Sequence, residues 1–147
     1  MEPEPRISIR RERGYVFSID FGALIPHLTV DEAEPIGDGE GPAPEQLVVA
    51  GVANCLCASL VFALGKFGQN ADGLHAEASC VLGRNAEGRL RIDAIEVAIT
   101  LGAPIADPDR TARALAQFER FCTVSESVKA GVPVSVTVSD QEGRRLK

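Results

Sequence analysis

Apolar and polar residues alternate with a period of two in several short segments, the pattern of strands that bury one face. The first such segments lie between Arg6 and Phe21, on both sides of a turn at Arg13-Gly14. They predict a β-hairpin that places Arg13 at its turn. The stretch from Ala23 to Ala43 is rich in Gly, Pro and acidic residues, and it predicts an irregular connection.

A stretch without any charged residue runs from Gln46 to Gly65. Pro44 and Glu45 suit the first turn of a helix, because proline loses no hydrogen bond there and a carboxylate meets the positive end of the helix dipole. We therefore predict a helix from Pro44 to about Gly65 or Gly68. A membrane span needs ~20 apolar residues, but this segment is alone in a globular sequence, and we interpret it as a core helix buried on all sides.

The second half of the chain predicts a further hairpin. Two alternating segments, Leu74–Leu82 and Leu90–Leu101, flank a turn signal at residues 85–88. Cys80 lies on the face of the first segment that carries small residues, which is predicted to point inward.

Two helices and a strand are predicted to follow this hairpin. Asp107 and Pro108 are typical of an N-cap and a first helical residue, and the helical spacing continues up to Cys122. The residues from Thr123 to Glu126 fit a capping box that opens a second short helix ending near Gly131. The alternation in Val132–Ser139 predicts the last strand.

Together these elements predict an α+β fold in one domain over residues 1–147, with loose termini at 1–5 and 140–147. A chain of 147 residues is long enough to bury ~70% of its unfolded surface in one core. No internal repeat is visible in the sequence.

Composition and charge exclude several function classes. The formal net charge is -6, which argues against a nucleic-acid partner because phosphate binding depends on clustered cations. The one basic cluster, Arg10-Arg11-Glu12-Arg13, is short and interrupted by an acid. No phosphate-binding glycine loop or dinucleotide fingerprint is present, so we expect no cofactor.

The four cysteines are expected to be reduced thiols. The N-terminal residues show neither a basic nor an apolar signal region, and the expected location is therefore the cytoplasm, where thiols stay reduced. His27 and His75 are the two histidines, and no His or Cys pair has the spacing of a zinc site. We expect no bound metal.

The cysteines differ in their predicted surroundings. Cys80 on a strand and Cys57 on the long helix are interpreted as packing residues, since buried cysteines behave as small hydrophobic groups. Cys122 is predicted at a helix start, where free N–H groups and the helix dipole favour the thiolate. Cys55 has no helix start near it in the sequence, so stabilising its thiolate requires a charged partner from elsewhere in the fold.

A combination of motifs resembles the OsmC/Ohr family of organic hydroperoxide reductases. The motifs are Pro44-Glu45-Gln46-Leu47, Cys55 ten residues after Glu45, Cys122-Thr123-Val124-Ser125, and Val132-Pro133-Val134 before the last strand. The resemblance covers about Pro44 to Val138. The sequence departs from the family at Thr123, where many relatives have a proline after the second cysteine.

The resemblance implies an OsmC-like fold with antiparallel sheets and a long buried central helix, in an intertwined homodimer with active sites at the subunit interface. It implies a thiol-dependent peroxidase of oxidative stress defence, with organic hydroperoxides as substrates. Cys55 would be the peroxidatic cysteine and Cys122 the resolving cysteine. An external dithiol such as a lipoylated protein would reduce the resulting disulfide.

The resemblance also implies that a glutamate and an arginine serve the reactive thiol from the other subunit. In a continuous helix Glu45 and Cys55 are ~15 Å apart along the axis, so Glu45 could serve Cys55 only from a partner chain. Arg13 is our choice for the arginine, with Arg10 and Arg11 as alternatives. It would lower the pKa of the thiol and orient the peroxide, with Glu45 holding its guanidinium.

Two other functions remain open from the sequence. The first is an OsmC-like protein that binds or senses a small apolar or electrophilic molecule without efficient peroxidase turnover. The second is a metal site built from the cysteines and histidines, which the absence of metal-ligand spacing disfavours.

Overall fold

A computed structural model describes residues 2–147, and the chain divides into two compact units, one ending at Leu47 and the other spanning Val48–Lys147. The helices and strands in chain order are β1 (Ser8–Arg13), β2 (Val16–Asp20), β3 (Leu28–Val30), α1 (Pro44–Lys66), β4 (His75–Arg84), β5 (Leu90–Thr100), α2 (Pro108–Gln117), a 3-10 turn (Phe118–Phe121), α3 (Thr123–Val128) and β6 (Val134–Ser139). The α+β class predicted from the sequence is confirmed.

The N-terminal unit contains a three-stranded antiparallel sheet in the order β1-β2-β3. Arg13 pairs with Val16 across the predicted turn, where Gly14 has a positive φ of 44° that favours glycine. Arg13 is thus the last residue of β1. The strand β3 was not predicted, because three residues inside a stretch rich in Gly and Pro carry too little alternation to detect.

The loop that follows β3 is organised around the buried carboxylate of Asp31. Asp31 accepts hydrogen bonds from the backbone N–H groups of Glu32 (2.7 Å), Asp38 (3.0 Å) and Glu40 (3.1 Å). A Cβ atom at Gly37 would lie 2.3 Å from the carbonyl oxygen of Glu32. Close backbone approach therefore requires glycine at position 37, whereas Gly39 of the same loop has a positive φ of 65°.

The C-terminal unit contains a second sheet in the order β4-β5-β6. β4 and β5 form the predicted antiparallel hairpin, whereas β6 lies parallel to β5. The expectation of antiparallel sheets is therefore corrected for this strand. The chain between β5 and β6 contains two helices, and such a crossover returns the next strand in the parallel direction.

The core of the C-terminal unit joins α1, β5 and the helices near the C-terminus. Its fully buried members on these elements include Leu56, Leu60, Ile95, Ile99 and Phe118. Their side chains follow the helical period of three and four on α1 and the period of two on β5.

Helix α1 buries one face within the chain, not all sides as predicted. The buried positions recur at helical spacing, at Val49, Val52, Leu56, Ser59, Leu60, Ala63 and Leu64, while Phe62 is 61% and Val61 45% exposed. α1 is also the one helix among residues 2–147 that is long and apolar enough to cross a membrane. A core helix passes the same test, and the buried face of α1 belongs to the core.

The C-terminal residues are not the loose tail that we predicted. Leu146 donates a backbone hydrogen bond of 2.7 Å to Val138 and packs on the core, and Ser139 pairs with Arg145. Backbone pairing and the burial of Leu146 hold this segment in place. Its polar sequence does not indicate either interaction. At the other end, Met1 lies outside the described residues, and residues 2–5 are exposed without helix or strand.

Candidate active site

Cys55 and Cys122 are neighbours in the C-terminal unit, although 67 positions separate them in the sequence. Cys55 lies half-buried on α1, and Cys122 is fully buried between the 3-10 turn and α3. The Cys55 side chain lies close enough to Cys122 to raise the pKa of the Cys122 thiol. The fold therefore brings together the two cysteines singled out in the sequence.

Three effects raise the pKa of Cys122. The largest is burial, and the others are the hydrogen bond with Cys55 and the negative charge of Cys55 when it is ionised. Burial penalises the thiolate, and a neighbouring thiolate favours the thiol that can donate to it. Cys122 is therefore held as a thiol at neutral pH.

The predicted effect of the helix start on Cys122 is present but outweighed. Cys122 is the N-cap of α3, and its sulfur accepts a hydrogen bond of 3.3 Å from the backbone N–H of Ser125. This interaction and the Ser125 side chain lower the pKa of Cys122, against the larger effect of burial. The expectation that the helix start favours a thiolate is corrected, because sequence does not show how deeply a side chain is buried.

The capping arrangement at α3 also differs by one residue from the prediction. Thr123 was the expected N-cap, whereas it is the first helical residue and Cys122 caps the helix. At the preceding helix the prediction holds, since Asp107 accepts a hydrogen bond of 3.0 Å from the Arg110 N–H.

Cys57 and Cys80 have the surroundings of packing residues. Both are half-buried and contact the core cluster. Burial raises the pKa of Cys57, so this thiol is not activated.

Arg13 forms an ion pair with Glu40 in the N-terminal unit. The Arg13 charge also helps to lower the pKa of Asp31, for which the Glu40 backbone N–H is the leading cause. Glu45, the predicted partner of Arg13, is half-buried in the first turn of α1, and it makes no ion pair within one chain among the described residues. The pairing of Glu45 from a second subunit stays a prediction.

The alternative arginines are placed differently. Arg11 donates a 2.9 Å hydrogen bond to the carbonyl oxygen of Gly14 in the hairpin turn, and Arg10 is exposed on β1. Arg13 is thus the member of this cluster that pairs with a carboxylate.

Three carboxylates of the N-terminal unit, Asp31, Asp38 and Glu40, have oxygen atoms within 4.8 Å of one another. Such a group could hold a hard cation. Backbone N–H groups already occupy the Asp31 carboxylate, and Arg13 pairs with Glu40. The two histidines are not part of this group. His27 Nε2 is 3.5 Å from Asp20 Oδ2, and His75 Nδ1 is 3.1 Å from the carbonyl oxygen of Gly73.

Sequence reasoning missed Glu40 and did not single out the Ser125 side chain. Glu40 stands in an irregular Gly-rich loop that offers no periodic signal. Ser125 follows Cys122 by three residues, which is the spacing at which an N-cap and the N3 residue of a helix interact. That spacing could have indicated contact between them.

The OsmC-like protein family model matches residues 37–137, which is more than half of the chain. No curated protein matches the chain significantly. The matched range includes both Cys55 and Cys122.

Solved structures show the same fold at low sequence identity. A Psychrobacter arcticus protein named for an osmotic stress induced and detoxification response is 17% identical, with a TM-score of 0.77 over 94% of this chain and 98% of that chain. An organic hydroperoxide resistance protein of Elizabethkingia anophelis is 18% identical, with a TM-score of 0.69 over 96% and 100%. The organic hydroperoxide resistance protein OhrB of Bacillus subtilis is 20% identical, with a TM-score of 0.68 over 90% and 96%. From its sequence match and its fold, the chain belongs to the OsmC-like protein family, some of whose members are organic hydroperoxide resistance proteins.

Proposed function

We propose that the protein is a thiol-dependent peroxidase that reduces organic hydroperoxides, with Cys55 as the peroxidatic and Cys122 as the resolving cysteine. The contact between these two thiols carries the proposal. Membership of a family that includes hydroperoxide resistance proteins supports the substrate class.

The different surroundings of the two cysteines support the assignment of roles. Cys55 is partly accessible, whereas Cys122 is fully buried and kept as a thiol. A peroxide must reach the attacking sulfur from solvent, and the thiolate is the nucleophile. Cys55 is therefore the better candidate for the first step, and Cys122 for the second.

The proposed cycle has two chemical steps before reduction. The Cys55 thiolate attacks the outer peroxide oxygen, the O–O bond breaks, and the alkoxide takes a proton to leave as an alcohol. Cys55 is then a sulfenic acid. Cys122 attacks its sulfur, a disulfide forms and water leaves, after which an external dithiol, such as that of a lipoylated protein, restores both thiols.

Arg13 and Glu45 are proposed to complete the site from a second subunit of a homodimer. A guanidinium beside Cys55 would stabilise its thiolate and orient the peroxide. α1 is continuous from Pro44 to Lys66. Glu45 and Cys55 of one chain are therefore ~15 Å apart along the helix axis, so Glu45 would serve the Cys55 of the partner chain. The exposed apolar residues Val61 and Phe62 on α1 support an interface on this helix, since exposed apolar clusters commonly mark protein contacts. The proposed location is the reducing cytoplasm.

The test measures turnover and cysteine chemistry together. Turnover of cumene hydroperoxide is measured with a dithiol reductant for wild type and the variants Cys55→Ser, Cys122→Ser and Cys57→Ser. Intact masses and peptide maps are recorded separately, after the reduced proteins receive one equivalent of the hydroperoxide without any reductant, because a dithiol would reduce the oxidised cysteines. We expect turnover and a Cys55–Cys122 disulfide in wild type and Cys57→Ser, no reaction in Cys55→Ser, and a lasting sulfenic acid in Cys122→Ser. Modification of Cys55 without turnover in wild type would instead favour the binding or sensing function.

A further inference from the structure

The hydroxyl of Ser125 is a buried polar group without a regular partner. Ser125 is fully buried, and its Oγ makes no hydrogen bond of regular geometry within residues 2–147. A buried hydroxyl in this state has lost its hydrogen bonds to water without replacing them, which lowers stability. Such groups are uncommon in folded proteins, and one beside a reactive side chain suggests a functional role.

The neighbour of this hydroxyl is the Cys122 thiol. The Ser125 backbone N–H already donates to Cys122 Sγ at 3.3 Å, which fixes the two residues relative to each other in the first turn of α3. The Ser125 side chain is close enough to lower the pKa of Cys122 as a hydrogen-bond donor does. Two donors from one residue are thus available to one sulfur atom.

We propose that Ser125 is a positioning residue for disulfide formation, whose hydroxyl donates a hydrogen bond to Cys122 Sγ as this sulfur loses its proton and attacks Cys55. This inference rests on the proposed function, because it requires Cys122 to resolve a Cys55 sulfenic acid. Buried Cys122 has little access to water, and Ser125 supplies the donors that water would otherwise offer to a thiolate.

The charge on Cys55 determines when Cys122 ionises, so that peroxide reduction comes before disulfide formation. While Cys55 carries a negative charge, that charge and the hydrogen bond with it raise the pKa of Cys122. Oxidation turns Cys55 into a neutral sulfenic acid and removes the charge. The two contributions of Ser125, both of which lower the pKa, then remain, so Cys122 ionises more readily once Cys55 has reacted.

Atoms and electrons balance when Cys122 attacks the Cys55 sulfenic acid. The Cys122 thiol gives up its proton, its sulfur forms the S–S bond with Cys55, and the S–O bond of the sulfenic acid breaks. The departing hydroxide combines with a proton to give water. The Cys122 sulfur is oxidised and the Cys55 sulfur is reduced.

Apart from the exposed Arg120, the ionisable side chains of the 3-10 turn, α3 and its C-cap Lys129 are engaged in ion pairs. Lys66 of α1 lies over the Phe121 ring, with its Nζ 5.8 Å from the ring centroid. Glu119 of the 3-10 turn pairs with Lys129 at 3.5 Å and with Lys147 at 2.5 Å, and Glu126 of α3 pairs with Lys129 at 2.9 Å. The groups that act on Cys122 are Cys55 and Ser125. A change in the pH profile of Cys122 on substitution of Ser125 can therefore be assigned to the hydroxyl.

The test follows disulfide closure in a single turnover. Reduced wild type, Ser125→Ala and Ser127→Ala are mixed with one equivalent of cumene hydroperoxide, quenched with a sulfenic-acid reagent over time, and analysed by mass. Ser127 is the matched control, an exposed serine on the same helix. We expect Ser125→Ala to form the sulfenic acid at the wild-type rate, to close the disulfide about tenfold more slowly at neutral pH, and to shift the pH profile of closure upward by about one unit.

A second pair of variants covers the case in which Ser125→Ala does not fold. Ser125→Thr and Ser125→Val have the same shape and differ in the hydroxyl, and we expect faster closure with Thr. Equal closure rates and pH profiles with and without the hydroxyl would overturn the role of Ser125 while leaving the peroxidase intact. A wild-type protein that forms no Cys55–Cys122 disulfide would overturn the proposed function itself.

Discussion

The guanidinium of Arg13 pairs with Glu40, a residue of the irregular loop five positions before Glu45. The same loop is held by the Asp31 carboxylate, which accepts the backbone N–H of Glu40. The backbone of Arg13 is therefore fixed at the end of β1, and its guanidinium is held by Glu40 of an ordered loop. This arrangement makes Glu40 a candidate, beside Glu45, for controlling the orientation of the arginine.

Substitution of Arg13 is expected to slow peroxide reduction without unfolding the protein. Arg13→Ala should lower kcat/KM for cumene hydroperoxide roughly tenfold to a hundredfold, because a hydrogen bond that involves a charged group contributes about 1.5–3 kcal/mol. Glu40→Gln should have a smaller effect, about threefold to tenfold, because the guanidinium remains but is less well held. Arg10→Ala is the control, and wild-type rates in Arg13→Ala would dismiss this arginine.

The Asp31 loop is expected to make stability depend on pH in the acid range. The pKa of Asp31 is lowered, chiefly by the Glu40 backbone N–H, so its contribution is present above the unfolded pKa of about 3.9 and is lost as pH falls through the folded pKa. Asp31→Asn should melt at a lower temperature than wild type at pH 7, and this difference should shrink towards pH 3. Asp38→Asn, in the same loop, is the control; a difference that is constant with pH would contradict this assignment.

The ionisation of Cys122 is expected to depend on Cys55. Since the hydrogen bond and charge of Cys55 raise the pKa of Cys122, Cys55→Ser should lower the pH at which the Cys122 thiolate forms. The thiolate absorbance is measured against pH in a background lacking Cys57 and Cys80. An unchanged or higher midpoint in Cys55→Ser would show that the two thiols do not interact in solution.

Two phenylalanines of the 3-10 turn provide a matched test of the core. Phe118 is fully buried and Phe121 is 47% exposed. Phe118→Ala should lower the free energy of unfolding by about 3–5 kcal/mol, the usual cost of such a cavity, whereas Phe121→Ala should cost much less. Denaturant unfolding measures both values, and similar losses would contradict the burial of Phe118.

The exposed face of α1 is expected to form the homodimer interface. Phe62→Glu should convert the dimer to a monomer in light scattering, because a buried charge without a partner opposes association. Its peroxidase activity should fall with the dimer if Arg13 and Glu45 act from the partner chain. Leu24→Glu, at a residue that is 99% exposed, should change neither property. A dimer that persists with Glu at position 62 would exclude this face.

Local signals in the sequence determined where most elements lie. Pro44 and Glu45 mark the start of α1, and Asp107 and Pro108 mark the start of α2, because a cap depends on residues within one helical turn. The alternation in β4 and β5 likewise predicted their hairpin. The family resemblance added the choice of Cys55 and Cys122, which no local pattern connects.

Only the tertiary structure decided how these residues meet. The contact of Cys55 with Cys122, the pairing of Arg13 with Glu40 and the parallel alignment of β6 join segments far apart in the chain, and periodicity carries no information about such distances. Burial decided the rest: it holds Cys122 as a thiol despite its position at a helix start, and it leaves the Ser125 hydroxyl without water. The free energy of a charge or a hydroxyl depends on its whole surroundings, which exist only once the chain has folded.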